Sequence, residues 1–256
     1  SDLQASSLIN FNQQIEAQNI RNSGWNYTSS SSYITLTFWV RASVEQNYHG
    51  FVKTQDGTNY VYPYETGTLS ANTWTKITKS IPGNSNLTIN DDTGGGFQVF
   101  PIFFAGTSYT DSSINYDTWR TWGSSSRSKD QPTSWWTTND ATLELTGVQL
   151  EVGPVATPFE HRSFNEELLL CQRFFYKGNS ASNYHAYGYG SSPGSNSLIQ
   201  LPQTVEMRVA PSFTHGTITN GSDAGSGHGT QVSYMYLNNS ASNSARISEY
   251  TLDAEF

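Results

Sequence analysis

The chain is a succession of short runs dense in β-branched and aromatic residues, each closed by turn-forming residues. That alternation limits it to an antiparallel β architecture. Tyr33–Val40 reads YITLTFWV, and His49–Val52 and Tyr60–Tyr64 share its character. Thr73–Ile81 alternates, with Trp74, Lys76, Thr78 and Ser80 on one face and Thr75, Ile77, Lys79 and Ile81 on the other. Phe97–Ala105 is almost wholly apolar and predicts a core strand, in which Pro101 demands an edge position or a bulge. In Ala141–Val152 the apolar phase shifts across Gly147, from Leu143 and Leu145 to Val148, Leu150 and Val152, which predicts a bulge at the glycine. Asp91–Gly96 and Gly123–Lys129 have loop compositions. Strands of this length and spacing predict an all-β jelly-roll sandwich.

Helix signals are few. Leu8, Phe11, Ile15 and Ile20 have a loosely helical spacing, which predicts a helix within Leu8–Ile20. Ser163-Phe164-Asn165-Glu166 is a capping box and opens a short helix through Leu168, Leu169 and Cys171. Pro154 and Pro158 make the preceding stretch an extended connector. Beyond Arg173 the composition turns to Ser, Asn, Gly and Tyr. New strands are predicted at Leu198–Leu201, Thr204–Val209, Phe213–Thr219, Gln231–Leu237 and Ala245–Leu252, with Asn220–Gly229 as a loop. The predicted organisation is a jelly roll at residues 1–153, a connector with a capped helix at 154–171, and a smaller β domain at 172–256.

Composition narrows the function. The 256 residues carry 13 Lys and Arg against 21 Asp and Glu, a net charge of −8 without basic clusters, which argues against a nucleic-acid partner. No apolar run is long enough to span a membrane, and no signal peptide is read at Ser1. A single cysteine, Cys171, excludes an internal disulfide and is expected to be a small buried hydrophobe. GxSxG, HExxH and phosphate-loop motifs are missing, and Gly94-Gly95-Gly96 precedes a strand and reads as a plain loop. The histidines (His49, His161, His185, His215 and His228) lack metal-ligand spacing. Asp91, Asp92 and loop carbonyls could hold a calcium ion, although nothing has EF-hand spacing. Otherwise no cofactor is expected. Asp111, Asp117, Asp130 and Asp140 could supply the two carboxylates of a glycosidase, beside solvated or structural roles.

The stretch from Tyr109 to Trp136 concentrates aromatic rings among polar residues, and its candidate sugar-binding set is Tyr109, Tyr116, Asp117, Trp119, Arg120, Trp122, Trp135 and Trp136. Flat apolar rings match the C–H face of a sugar while Asp and Arg bond its hydroxyls. Some of these rings could equally cap the sandwich core. Trp39 and Trp74, inside strands, are expected in the core.

Three segments then carry a resemblance: ATLELTGVQLEVG at 141–153, ATPFEHR at 156–162 and EELLLCQRFFY at 166–176. They look like a signature of phage tail-fibre and related virion proteins. QIEAQN at 14–19, LTFWVRAS at 36–43, VEMRVAP at 205–211 and LDAEF at 252–256 are similar to that family's flanking parts. The resemblance implies a lectin-like first half, similar to jelly-roll carbohydrate-binding modules, and a terminal β tip. It further implies a virion location, a homotrimer, contact with other tail proteins, additional strands before Ser1, and attachment to host surface polysaccharide without chemistry. Glu160, His161 and Arg162 read as a hydrogen-bonded hinge, with Phe159, Phe164 and Leu168–Leu170 sealing a joint between domains. A polysaccharide depolymerase and a purely structural virion part are the competing readings. On the adhesin reading, Trp119→Ala with Trp122→Ala abolishes attachment and leaves the melting temperature nearly unchanged.

Overall fold

A computed structural model describes residues 4–179, 186–188, 194–240 and 245–256. The chain divides into two compact units, 1–160 and 161–256.

The first unit is the expected antiparallel sandwich. One sheet orders its strands β1 (Leu8–Asn10), β7 (Gly95–Ala105), β4 (Gln46–Thr54), β5 (Tyr60–Leu69) and β8 (Arg120–Thr121), with β2 (Gln13–Glu16) also on β7. The other is β6 (Thr75–Pro82), β3 (Tyr33–Ala42) and β9 (Leu143–Val152). Alternation decides what fills the space between them. Ile34, Leu36, Phe38 and Val40 of β3, Ile77 and Ile81 of β6, and Phe97, Val99, Ile102 and Phe104 of β7 form one buried cluster. Leu8–Ile20 is not the expected helix. It forms β1, β2 and only a single helical turn, α1 (Ala17–Arg21). Its helical spacing is loose, and pairing with the otherwise open edge of β7 satisfies more backbone groups than an isolated helix would.

Both expected bulges are present. Gly147 has φ +59°, and the β3–β9 register shifts between Thr37 and Trp39, so Gly147 and Val148 oppose Phe38 alone. In β7 the register against β4 shifts so that Pro101 and Ile102 oppose Gly50. Gly50 is required there, because a Cβ would stand 2.4 Å from the Pro101 carbonyl oxygen and 2.5 Å from the Tyr64 ring. The Tyr64 hydroxyl bonds the Phe100 and Pro101 carbonyls, each at 3.1 Å.

The connector after β9 lies along its outward side. Thr157 donates its backbone N–H to Glu151 Oε1 (2.9 Å) and its hydroxyl to Glu151 Oε2 (2.6 Å), and Glu160 N–H donates to Gln149 Oε1 (2.8 Å). Trp39 and Trp74, expected in the core, are exposed by about two fifths on this outward face. Phe38 and Val40 point inward, so strict alternation turns Trp39 outward, where it and Phe159 flank Gly147. Trp74 precedes β6 and carries the Arg41 guanidinium 5.5 Å from its ring centroid.

In the second unit, α3 (Phe164–Gln172) begins with the complete capping box formed by Ser163 and Glu166. A short helix, α2 (Ser134–Thr137), belongs to the first unit. Three antiparallel sheets follow: β10 (Phe175–Asn179), β18 (Glu249–Asp253) and β13 (Ser212–His215); β11 (Ala186–Gly188), β17 (Ala245–Ile247) and β14 (Ile218–Thr219); and β12 (Asn196–Leu201), β16 (Ser233–Asn239) and β15 (Gly221–His228). Asn220–Gly229, expected to be a loop, is largely strand β15. Its small residues accept pairing with β16, and Gly227 leaves room for the Tyr234 ring. Thr204–Val209, expected to be a strand, is irregular, yet Met207 is buried and Arg208 bonds the Ala254 and Glu255 carbonyls. The rest of the expected strands form, and the stretch after Gly178 lies largely outside the described residues.

One expectation about α3 fails: Cys171 is exposed rather than buried. Phe164, Leu168, Leu169 and Leu170 of α3 are 40–78% exposed. Apolar residues at consecutive helical positions point in all directions, so no single face buries them.

The tight approach at Gly50 gives a direct test. Gly50→Ala forces the added methyl into the Pro101 carbonyl and should lower unfolding free energy by about 1–3 kcal/mol in a urea titration.

Candidate functional site

The large sheet is apolar on both faces, and its outer face carries the site. The bulge at Pro101 switches the phase of β7, so Phe100, Phe103 and Ala105 point outward although Phe97, Val99, Ile102 and Phe104 point inward. With Phe51 of β4 and Val61 of β5 they form a second buried cluster, against which Tyr109 and Trp122 pack. Phe51 and Phe100 stack with ring centroids 4.1 Å apart.

The segment 106–131 covers part of this face and is tied down by its own polar groups. Asp111 N–H bonds Ser128 O, Ala105 N–H bonds Gln131 Oε1, and Thr110 donates to Asp130. Ile114 and Ser128 are fully buried beneath it. Tyr116 stacks on His49 at 5.7 Å, and its hydroxyl takes a bond from Lys129 N–H (3.1 Å) while pairing with His49 Nδ1 (2.7 Å).

Where the cover stops, a cleft of ≈ 230 Å³ opens. Its floor is Phe51, Phe100 and Phe103, with Leu8 and Trp122 as apolar walls; Asn10, Asn12 and Gln98 bring amides, and Lys53 and Arg127 bring positive charge. Strand register assembles it: Lys53 is opposite Gln98, Phe51 opposite Phe100, and Asn10 opposite Phe103. Lys53 Nζ lies 4.4 Å and Arg127 Cζ 4.8 Å from the Trp122 ring centroid, and Arg127 is also 4.4 Å from that of Tyr109. Such contacts offset part of the cost of half-burying two cations.

The candidate residues divide between this cleft and the scaffold. Trp122 lines the cleft and Tyr109 braces Arg127. Trp119 is core. It is 9% exposed, its ring meets Tyr62 edge-on at 5.4 Å, and Nε1 donates to Pro82 O at 2.6 Å. An indole N–H satisfied by a carbonyl lets the ring be buried. The expected unchanged melting temperature of a variant lacking both Trp119 and Trp122 is thereby corrected. Trp135 and Trp136 pack against the core, Trp135 stacked on Phe104 at 4.0 Å. Tyr116 is committed to His49, Asp117 sits 3.5 Å from Lys79 Nζ, and Arg120 pairs with Val61 in β8. Lys53, Arg127, Asn10, Asn12 and Gln98 escaped the sequence reading. Their only signal is the alternation of β4 and β7, which places Lys53 and Gln98 outward.

Asp91 and Asp92 serve the loop itself, Asp91 accepting from Asn22 and Asp92 from Gly94 N–H. Among the described residues no group of three or more His, Cys, Asp or Glu converges as metal ligands would. No protein-family model, curated protein or solved structure matches the chain.

Burial pushes the His49 imidazole down to about 4, with Glu65 pulling weakly the other way. The unfolded chain binds this proton near the ordinary value of 6.5, the folded chain only near 4. Stability is therefore full above pH 6.5 and is lost as pH falls toward 4, by on the order of 3 kcal/mol. His49→Gln should flatten that part of the stability–pH curve. Trp119→Ala should cost about 3–5 kcal/mol by chemical denaturation.

Proposed function

We propose that this chain is a glycan-binding, receptor-recognition protein of the phage tail-fibre type, which attaches to host surface polysaccharide and leaves it intact. The cleft on the outer face of the large sheet carries the reading. It offers the apolar walls Leu8 and Trp122 for the C–H face of a sugar ring, and three amides and two cations for its oxygens. The lining includes no Asp or Glu, whereas glycoside hydrolysis needs a pair of carboxylates. Binding without cleavage is therefore favoured over a depolymerase at this site.

The tail-fibre assignment rests on the resemblance of the segments at 141–153, 156–162 and 166–176. A homotrimer accords with the exposed apolar side chains of α3, which a partner chain would cover. Several weak sugar sites on one trimer then combine into firm attachment. Other tail proteins would be the remaining partners, at the virion and outside the cell.

The test is a glycan array with purified protein beside a reducing-end assay on host polysaccharide. Binding without new reducing ends is expected. Trp122→Ala should weaken binding by about tenfold or more while the protein stays folded. New reducing ends would make the protein an enzyme, and silence in both assays would favour a structural role.

A further inference from the structure

The outer-face cleft holds two cations with no anion to match them. In a chain of net charge −8, carboxylates elsewhere meet their cations: Arg41 with Glu144, Lys79 with Asp117, and Lys177 with Glu249. Lys53 and Arg127 have no carboxylate within salt-bridge distance among the described residues, and each is only partly open to solvent. Arg127 spends one N–H on the Ser124 carbonyl at 2.6 Å, which fixes the guanidinium without neutralising it. Both groups sit against one indole, so the two like charges are held near each other by a ring and not by a counterion. Burial lowers the proton affinity of both, and Lys53 is lowered further by Arg127. Holding like charges in a half-buried cleft destabilises the empty protein, and an anion entering the cleft relieves that cost.

We infer that this cleft selects an acidic sugar, with Lys53 and Arg127 gripping the ring's carboxylate or sulfate ester while Leu8 and Trp122 face its C–H side. The inference rests on the glycan-binding reading above and specifies its ligand class. Guanidinium presents parallel donors that fit a carboxylate or a sulfate, and ammonium adds a point charge. Asn10 and Gln98 stand on the neighbouring strand, at hand for ring hydroxyls. No group on the lining would repel an anion.

The experiment is an array carrying uronate-bearing, sulfated and neutral glycans, probed with the wild type and with K53Q/R127Q. Wild-type signal should concentrate on acidic glycans, and the double variant should lose about tenfold or more of it. Chemical reduction of the bound glycan's carboxylates to alcohols should cause a similar loss in the wild type, and so should raising salt from about 50 to about 500 mM. Those two wild-type measurements decide the matter even if the double variant misfolds. Loss on carboxylate reduction identifies uronate. Signal confined to sulfated glycans and lost in K53Q/R127Q identifies sulfate at the same grip. Binding to neutral glycans as strong as to acidic ones overturns the acidic preference and leaves the glycan reading standing. No glycan binding at all overturns the glycan reading itself.

Discussion

The register break at Pro101 is the constraint on which the first unit depends. A regular β7 would keep Phe97, Val99, Pro101 and Phe103 on the interior face. The inserted residue shifts the phase in mid-strand, so Ile102 and Phe104 join Phe97 and Val99 inside while Phe103 and Ala105 join Phe100 outside. A sheet apolar on both faces must be covered twice. One cover is the three-stranded sheet, and the other is the segment 106–131. Gly50 and Tyr64 hold the break open, Gly50 by having no side chain and Tyr64 by bonding the two carbonyls it turns inward.

The second cover is incomplete, and its gap is the site. Hydrogen bonds within the segment fix where it ends, and Trp122 and Arg127 stand at that margin beside the outward residues of β1, β4 and β7. The Phe51–Phe100 stack lies before the shift, and the shift adds Phe103 beside it on the outer face. The charge is a separate choice. A cation at position 53 on a core-lined sheet is costly unless something receives it, and the Trp122 ring does so only in part. Stability alone would place an apolar or neutral residue there.

Much of this was legible in the sequence, and the reasons are local. The β3, β6 and β9 phases follow from strict alternation, and Gly147 and Pro101 announce their own bulges because few other residues break a ladder there. The capping box at Ser163 is self-contained within four residues. Elements governed by distant partners were misread. The Leu8–Ile20 segment became strands because the edge of β7 needed covering. The Gly- and Ser-rich β15 is a strand only by virtue of β16. The aromatic-rich stretch drew attention to the segment that covers the outer face, but tryptophan content does not distinguish a ring that lines a cleft, such as Trp122, from one that seals an interior, such as Trp119. Lys53 and Arg127 meet only through the register of β4 and the path of a covering loop, which no spacing rule encodes.

The segments that carry the family resemblance have a physical logic of their own. In the first unit, the Gln and Glu of GVQLEVG are the acceptors that lay the following connector along β9, through Thr157 and Glu160. In the second, Arg208 of VEMRVAP donates to the carbonyls of Ala254 and Glu255 in LDAEF and lies 4.1 Å from the Phe256 ring centroid. Phe174 of LCQRFFY accepts the Ala254 N–H, and Arg173 accepts that of Arg208. Segments far apart in sequence within each unit are thus tied to one another by hydrogen bonds. The cleft is under no such bond-for-bond obligation at its rim. Asn10 and Asn12 are exposed and bonded chiefly to each other, so they can change without unpairing the sheet. A scaffold with fixed joints and a replaceable rim lets the surface of the cleft change while the fold does not.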